Sequence, residues 1–254
     1  MGLAVAAAYL ITVTRYERFG GERQTAERAA FWAVVIGFMG ARLAYVSTHT
    51  ARFEGDWLGI FRLWEGGLAL FGGLTFGTLA VVWVMRRSGG SFPTFLDAIA
   101  VGLPAAQAIG RWGNYFNQEL FGTPTGLPWG LEIDAVHRPA EYAEAATFHP
   151  TFLYESTWNI GIVLFLLWVE RRVGMRRGRL FTIYMMLYGV IRFLTELIRT
   201  DTTFRFWGLS RNAWVALGLG IAGAVMFWWL RDRDDDGEVS VDETAGSLEG
   251  GEGE

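Results

Sequence analysis

The feature that most constrains this chain is a series of long apolar runs. They lie at residues 29–46, 66–85, 94–110, 156–173, 179–198 and 208–230. A bilayer core is ~30 Å thick, and a helix rising ~1.5 Å per residue crosses it in roughly 20 residues. Backbone exposed to lipid has no water to bond with, so each run reads as a helix that closes its own hydrogen bonds. A shorter apolar stretch covers residues 2–14. At helical rise it reaches only ~20 Å. It reads either as a partial helix or as the end of a span that begins upstream of Met1. No basic residue precedes it, which argues against a secretory signal. The expected fold class is all-α. It is a polytopic membrane helix bundle of about seven transmembrane helices, with an outward-facing head segment and a disordered acidic C-terminal tail.

Charge has to be divided before it is informative. Mean hydropathy is +0.24 and 19% of the residues are charged, against about 25% in an ordinary soluble domain. The net charge of −4 conceals two regions. Residues 232–254 hold 10 acids and 1 Arg, whereas residues 1–231 hold 16 acids and 21 Arg. The first region, rich in Gly, Asp and Glu, buries too little apolar surface to order itself. The expected division is therefore a membrane domain over 1–231 and a tail over 232–254. Cysteine is absent, which excludes a disulfide scaffold, a cysteine nucleophile and thiolate-held metal or iron–sulfur sites.

The loops alternate in charge. One set contains Arg15, Arg18, Arg23, Arg28, Arg86, Arg87, Arg171, Arg172, Arg176, Arg177, Arg179, Arg231 and Arg233. The opposite set contains only Arg52, Arg62, Arg111, Arg138, Arg199, Arg205 and Arg211. The positive-inside rule puts the richer set in the cytoplasm. The N-terminus is then outside, the tail inside, and residues 111–155 face outward. That outer stretch is the longest non-apolar segment of the body, and long loops of this kind are commonly functional.

Polar groups interrupt the spans where lipid would be expected. Tyr188, Arg192 and Glu196 recur every four residues and share one helix face. Gln107, Arg111 and Asn114 do the same near the outer end of the fourth span, and Arg42 lies within the second. A charge inside the bilayer costs at least ~2.5 kcal/mol on insertion scales. Two readings are open for Arg192 and Glu196: a structural ion pair, or the lining of a polar cavity. Arg42, Arg111 and Arg192 have only Asp97, Glu119 and Glu196 as nearby acids in sequence, and Asp97 lies at the far end of its span. An anionic ligand near the outer leaflet would restore the balance, and the planar guanidinium fork suits phosphate.

The stretch 110–122, reading GRWGNYFNQELFG, resembles the signature of the prolipoprotein diacylglyceryl transferase family. GARLAYV at 40–46 is similar to its second-span Arg segment, WEGGLALFGG at 64–73 to its Gly-rich third-span motif, HPTFLYE at 149–155 to HPSQLYE, and YGVIRFLTELIR at 188–199 to YGxxRFxxEFxR. The resemblance covers about 30–230, in order.

It implies transfer of the sn-1,2-diacylglyceryl group from phosphatidylglycerol to the lipobox cysteine of a prolipoprotein, forming a thioether and releasing glycerol 1-phosphate. It further implies a bacterial plasma-membrane setting, partners that are the two substrates and the bilayer, no nucleic acid, and no metal or organic cofactor. By matched position, Arg111 and Arg192 are the expected phosphate-binding and catalytic cations, with Glu119 and His149 as further catalytic residues. Arg42, Gly72, Gly73, Asn114, Asn117, Gly122, Tyr188 and Glu196 are expected to bind phosphatidylglycerol. Asp97 matches the Asp opening the fourth span. For Asn117 and Asp97, turn or helix capping is an equal alternative, and Trp129 and Pro128 read as packing.

Three departures stand out. The third-span motif of the family carries a His, a proposed base for the thiol, where this chain has Phe71. Glu119, His149 and the lipid phosphate are the candidate replacements. Thr123 stands where the family has Arg, and the first-span Tyr motif is absent. A lipid carrier and an intramembrane protease are the competing classes. An aspartyl protease needs two intramembrane Asp residues, and here only Asp97 lies in a span, with Asp201 just beyond one.

Overall fold

The computed structural model describes residues 2–62, 66–174, 177–199 and 205–248, in backbone alone for 205 and 231–248. Trp64, Glu65, Arg176, Asp201 and the last six residues of the acidic tail lie outside the described residues. The chain is mostly helical, with helices α1 (Gly2–Arg18), α2 (Arg23–Thr48), α3 (Leu70–Arg87), α4 (Phe92–Asn117), α5 (Thr151–Val173), α6 (Arg179–Ile198) and α7 (Arg211–Leu248). Five are long and apolar enough to cross a membrane: α2, α4, α5, α6 and the Arg211–Leu230 part of α7. Four of the expected runs fall inside α2, α4, α5 and α6; the runs 66–85 and 208–230 begin a few residues before α3 and α7, and the short apolar stretch 2–14 falls inside α1. Helix α7 continues without interruption to Leu248, so most of the stretch expected to be disordered is helix. Extending an existing helix avoids the costly nucleation step.

Two compact units are present, Tyr9–Ala98 and Met1–Ala8 with Ile99–Glu254. In the first, α2 and α3 pack through small residues. A Cβ added at Gly72 would lie 2.5 Å from both the Gly40 carbonyl oxygen and the Ala44 Cβ. A Cβ at Gly40 would lie 2.4 Å from the Phe76 ring. Close backbone approach through glycine is the usual packing device of membrane helices, where lipid removes the hydrophobic drive between them. Gly72 and Gly73, expected at the substrate, are used here for this helix contact. The Tyr16 hydroxyl, buried at the other end of the unit, accepts from the Ser91 N–H at 3.1 Å.

In the second unit α6 packs on α5 and α7. A Cβ at Gly189 would lie 2.8 Å from the Ala216 carbonyl oxygen. Pro104 sits inside α4, where it removes one helical hydrogen bond. The segment expected outside over 111–155 is shorter as a loop, because α4 runs to Asn117 and α5 begins at Thr151. Residues 118–150 form a small head with a core of Phe121, Ile133 and Phe148, against which Leu131, Tyr142 and Ala145 pack. Strands β1 (Leu131–Glu132) and β2 (Thr147–Phe148) pair antiparallel within it. A second two-stranded hairpin, β3 (Arg205–Phe206) and β4 (Leu209–Ser210), leads into α7.

Candidate functional site

Most of the expected site residues gather at one end of α4, α5 and α6. Arg111, in the last turns of α4, pairs through Nη2 with the Glu155 carboxylate in the first turn of α5. Glu155 is only 2% exposed, so the pair is shielded from water and its attraction is correspondingly strong. Ser156 donates to the Ala108 carbonyl at 3.0 Å and ties the same two helices together. Nη1 of Arg111 reaches the Asn114 side-chain oxygen at 3.3 Å. The amide nitrogens of Asn114 and Asn117 then converge on one oxygen of Glu119, Oε1, both at 3.1 Å. Helix α4 stops at Asn117 because Gln118 and Leu120 take positive φ, 49° and 58°. The turn holds because Gln118 exchanges two hydrogen bonds with Asp134, at 2.8 and 2.7 Å.

Helix α6 supplies the second group. Arg192 Nη2 lies 2.8 Å from Glu196 Oε2. Glu196, itself buried, also accepts at Oε1 from Ser210 at 2.8 Å and Asn212 at 3.2 Å. Ser210 simultaneously caps α7 by accepting from the Ala213 N–H at 3.1 Å. A second guanidinium nitrogen, Arg192 Nη1, is buried and has no hydrogen-bond partner among the described residues. An unpaired buried donor of this kind costs free energy unless something fills it. Tyr188, one turn before Arg192, lies within electrostatic reach of Arg192, Arg111, Glu155 and Arg199. Tyr184 stacks on Tyr188 with ring centroids 5.7 Å apart and accepts from Gln107 of α4 at 3.0 Å.

Gly122 is where three segments cross. Its N–H donates to the His149 carbonyl at 2.9 Å, and the neighbouring Thr123 N–H donates to the Ile198 carbonyl at 2.8 Å. A Cβ at Gly122 would lie 2.8 Å from the His149 Cβ and 3.1 Å from the Ile198 oxygen. Gly122, expected at the phosphatidylglycerol, thus makes its close approach to other parts of its own chain. Around it, the His149 ring meets the Tyr154 hydroxyl through Nδ1 at 3.1 Å. That hydroxyl accepts from the Trp129 indole N–H at 3.0 Å, so Trp129 has a polar contact beyond the expected packing.

The remaining expected residues lie in the other unit. Arg42 commits all of its donors to backbone carbonyls: Nε to Ile60, Nη1 to Gly66 and Gly67, and Nη2 to Gly59 and Arg62. It clamps the loop between α2 and α3 and keeps no N–H for a phosphate. Phe71 is 57% exposed and Asp97 is buried.

The shortage of acids inferred from sequence is thus met in two ways that sequence proximity hides. Arg42 uses carbonyls, and Arg111 uses Glu155 from a distant helix. Glu155 is the site residue that sequence reasoning passed over. Its place at the end of the HPTFLYE motif was the available signal. Two apolar cavities flank α5, one of about 630 Å³ lined by Trp129, Tyr154, Trp158, Phe165 and Leu187, the other of about 850 Å³ lined by Trp112, Phe116 and Ile160. Their lining suits hydrocarbon.

A sequence profile described as prolipoprotein diacylglyceryl transferase matches residues 1–229. The Streptomyces coelicolor protein named phosphatidylglycerol–prolipoprotein diacylglyceryl transferase 2 is 44% identical over 226 residues, covering 88% of this chain and 71% of its own length. The Cutibacterium acnes phosphatidylglycerol–prolipoprotein diacylglyceryl transferase is 43% identical over 237 residues, 92% of this chain and 80% of that protein. A second Streptomyces coelicolor protein, with the same name numbered 1, is 40% identical over 241 residues, 94% of this chain and 69% of its own.

Proposed function

The chain belongs to the prolipoprotein diacylglyceryl transferase family, and on that premise we propose that it moves the sn-1,2-diacylglyceryl group of phosphatidylglycerol onto the lipobox cysteine thiol of a prolipoprotein. The observation that carries the site assignment is the unfilled Arg192 Nη1. A guanidinium paired on one side with Glu196 and left with a buried, unpaired nitrogen on the other suits a phosphate oxygen. Arg111, fixed by Glu155, is the second cation, and Tyr188 lies within reach of both charges. Together they stabilise the charge that grows on the leaving phosphate. Donors already oriented in a site of low dielectric do this without reorganising. The chain has no cysteine, consistent with a nucleophile supplied by the protein substrate. Asn114 and Asn117 orient Glu119. Tyr188 and Glu196 orient Arg192, and Gly122 holds the His149 segment against the end of α6. One or both apolar cavities beside α5 receive the acyl chains.

The chain then sits in the bacterial plasma membrane, with α1 and α3 completing a bundle of seven spans. The N-terminus and the 118–150 head face outward, the Arg-rich loops inward, and the acidic segment after Arg231 is a cytoplasmic extension. The test is direct. Purified protein is mixed with phosphatidylglycerol vesicles and a lipobox peptide, and glycerol phosphate release and a diacylglyceryl-peptide mass are expected. Absence of both, under conditions where the Cutibacterium acnes relative forms product, sinks the reading.

A further inference from the structure

Thiol transfer needs a proton acceptor, and the side chain at position 71 is a phenylalanine. The geometry discriminates among the groups that remain. The His149 Nδ1 is already engaged with the Tyr154 hydroxyl at 3.1 Å, and that hydroxyl accepts from Trp129 Nε1 at 3.0 Å. One of the two ring nitrogens of His149 is therefore tied into a side-chain network. A phosphodiester monoanion is a very weak base.

Glu119 differs from both. It is exposed, and its Oε1 takes both Asn114 and Asn117, while Oε2 has no partner among the described residues. Asn114 also receives Arg111 Nη1. One amide therefore links a fixed carboxylate to the cation assigned to the phosphate.

Building on the proposed reaction, we infer that Glu119 is the base that activates the lipobox thiol in this chain. The S–H bond breaks and its proton goes to Glu119 Oε2. The sulfur lone pair forms the S–C bond at the glyceryl carbon that carries the phosphate. The C–O bond to the phosphate breaks, its electron pair leaves on the phosphate oxygen facing Arg111 and Arg192, and the departing glycerol phosphate takes the proton back from Glu119. Every atom and charge is accounted for with no further reactant.

The experiment compares a lipobox peptide carrying cysteine with one carrying selenocysteine, using the full chain in phosphatidylglycerol vesicles under single-turnover conditions. A selenol is ionised at neutral pH and needs no base. With the cysteine peptide, Glu119→Gln loses about 100-fold or more in rate at pH 7, the usual scale of a general base. That rate climbs about tenfold per pH unit toward the thiol value of ~8.5. With the selenocysteine peptide the variant approaches the wild-type rate.

In the wild type, the acid limb of the pH profile seen with cysteine is absent with selenocysteine. This second measurement holds even where the variant fails to accumulate. A Glu119→Gln rate equal to wild type with cysteine overturns the inference. So does an equal deficit with both peptides, which marks a structural role, or the same acid limb with both peptides in the wild type. The selenocysteine rescue appearing in His149→Gln instead also overturns it. A wild type that forms no product with either peptide overturns the reaction itself, a failure distinguishable from all of these.

Discussion

Arg42 and Arg192 are both arginines withdrawn from water inside membrane helices, and the protein satisfies them in opposite ways. Arg42 is 6% exposed and gives every N–H to a backbone carbonyl. Arg192 is paired with one carboxylate and keeps a buried nitrogen unfilled. Burial alone does not separate a structural cation from a working one. On the proposed reading the inventory of uncommitted donors does, because a guanidinium whose forks are all occupied has nothing to offer a ligand.

The contrast is sharpened most by Arg192→Lys. An ammonium can keep Glu196 but cannot extend a second fork. Product formation is expected to fall about 10²–10³-fold, the scale of losing one preorganised donor, with the thermal unfolding temperature nearly unchanged. A rate close to wild type would erase the distinction.

Arg42→Lys is the mirror experiment. Three donors then serve five carbonyls, and because the Gly59 carbonyl also accepts from the Arg62 N–H, at least one is left unsatisfied, at an expected cost of about 1 kcal/mol or more in stability. The rate per folded molecule should stay near wild type. A selective loss of rate with unchanged stability would return Arg42 to the substrate.

The smallest effect is expected at Gly73→Ala. A Cβ there meets its nearest neighbours at 3.4 and 3.5 Å, an ordinary contact. Stability and the Michaelis constant for phosphatidylglycerol should both move little, within about 0.5 kcal/mol. A large rise in the Michaelis constant would show that the headgroup does touch this glycine.

The sequence reveals the helices far better than it reveals their partners. Apolar runs mark α5 and α6 to within a few residues, because hydrocarbon tolerates little else over that length. The last turns of α4 are harder to see, since Arg111 and Asn114 break the apolar run while the backbone continues as helix. The spacing of Gln107, Arg111 and Asn114 is what betrays it. The Arg111–Glu155 pair is invisible to any local reading, because the two residues meet only when α4 and α5 are packed. The Arg42 clamp is more hidden still. Its acceptors are main-chain carbonyls, which every residue has and no sequence motif announces. Gly122 and Gly72 show the same limit. A glycine can be recognised as a close approach, yet what approaches it is decided by tertiary structure.

The double role of Ser210 has a consequence for how the protein is made. Glu196 is held by Arg192 from its own helix and by Ser210 and Asn212 from the beginning of α7. Synthesis runs from the N-terminus, so α6 enters the membrane with its carboxylate short of two donors. Those donors emerge from the ribosome only with the last hairpin. The proposed catalytic cluster is therefore completed only once the start of α7 has been made, and a polypeptide interrupted before Ser210 would contain nearly every proposed catalytic side chain and still lack a finished site.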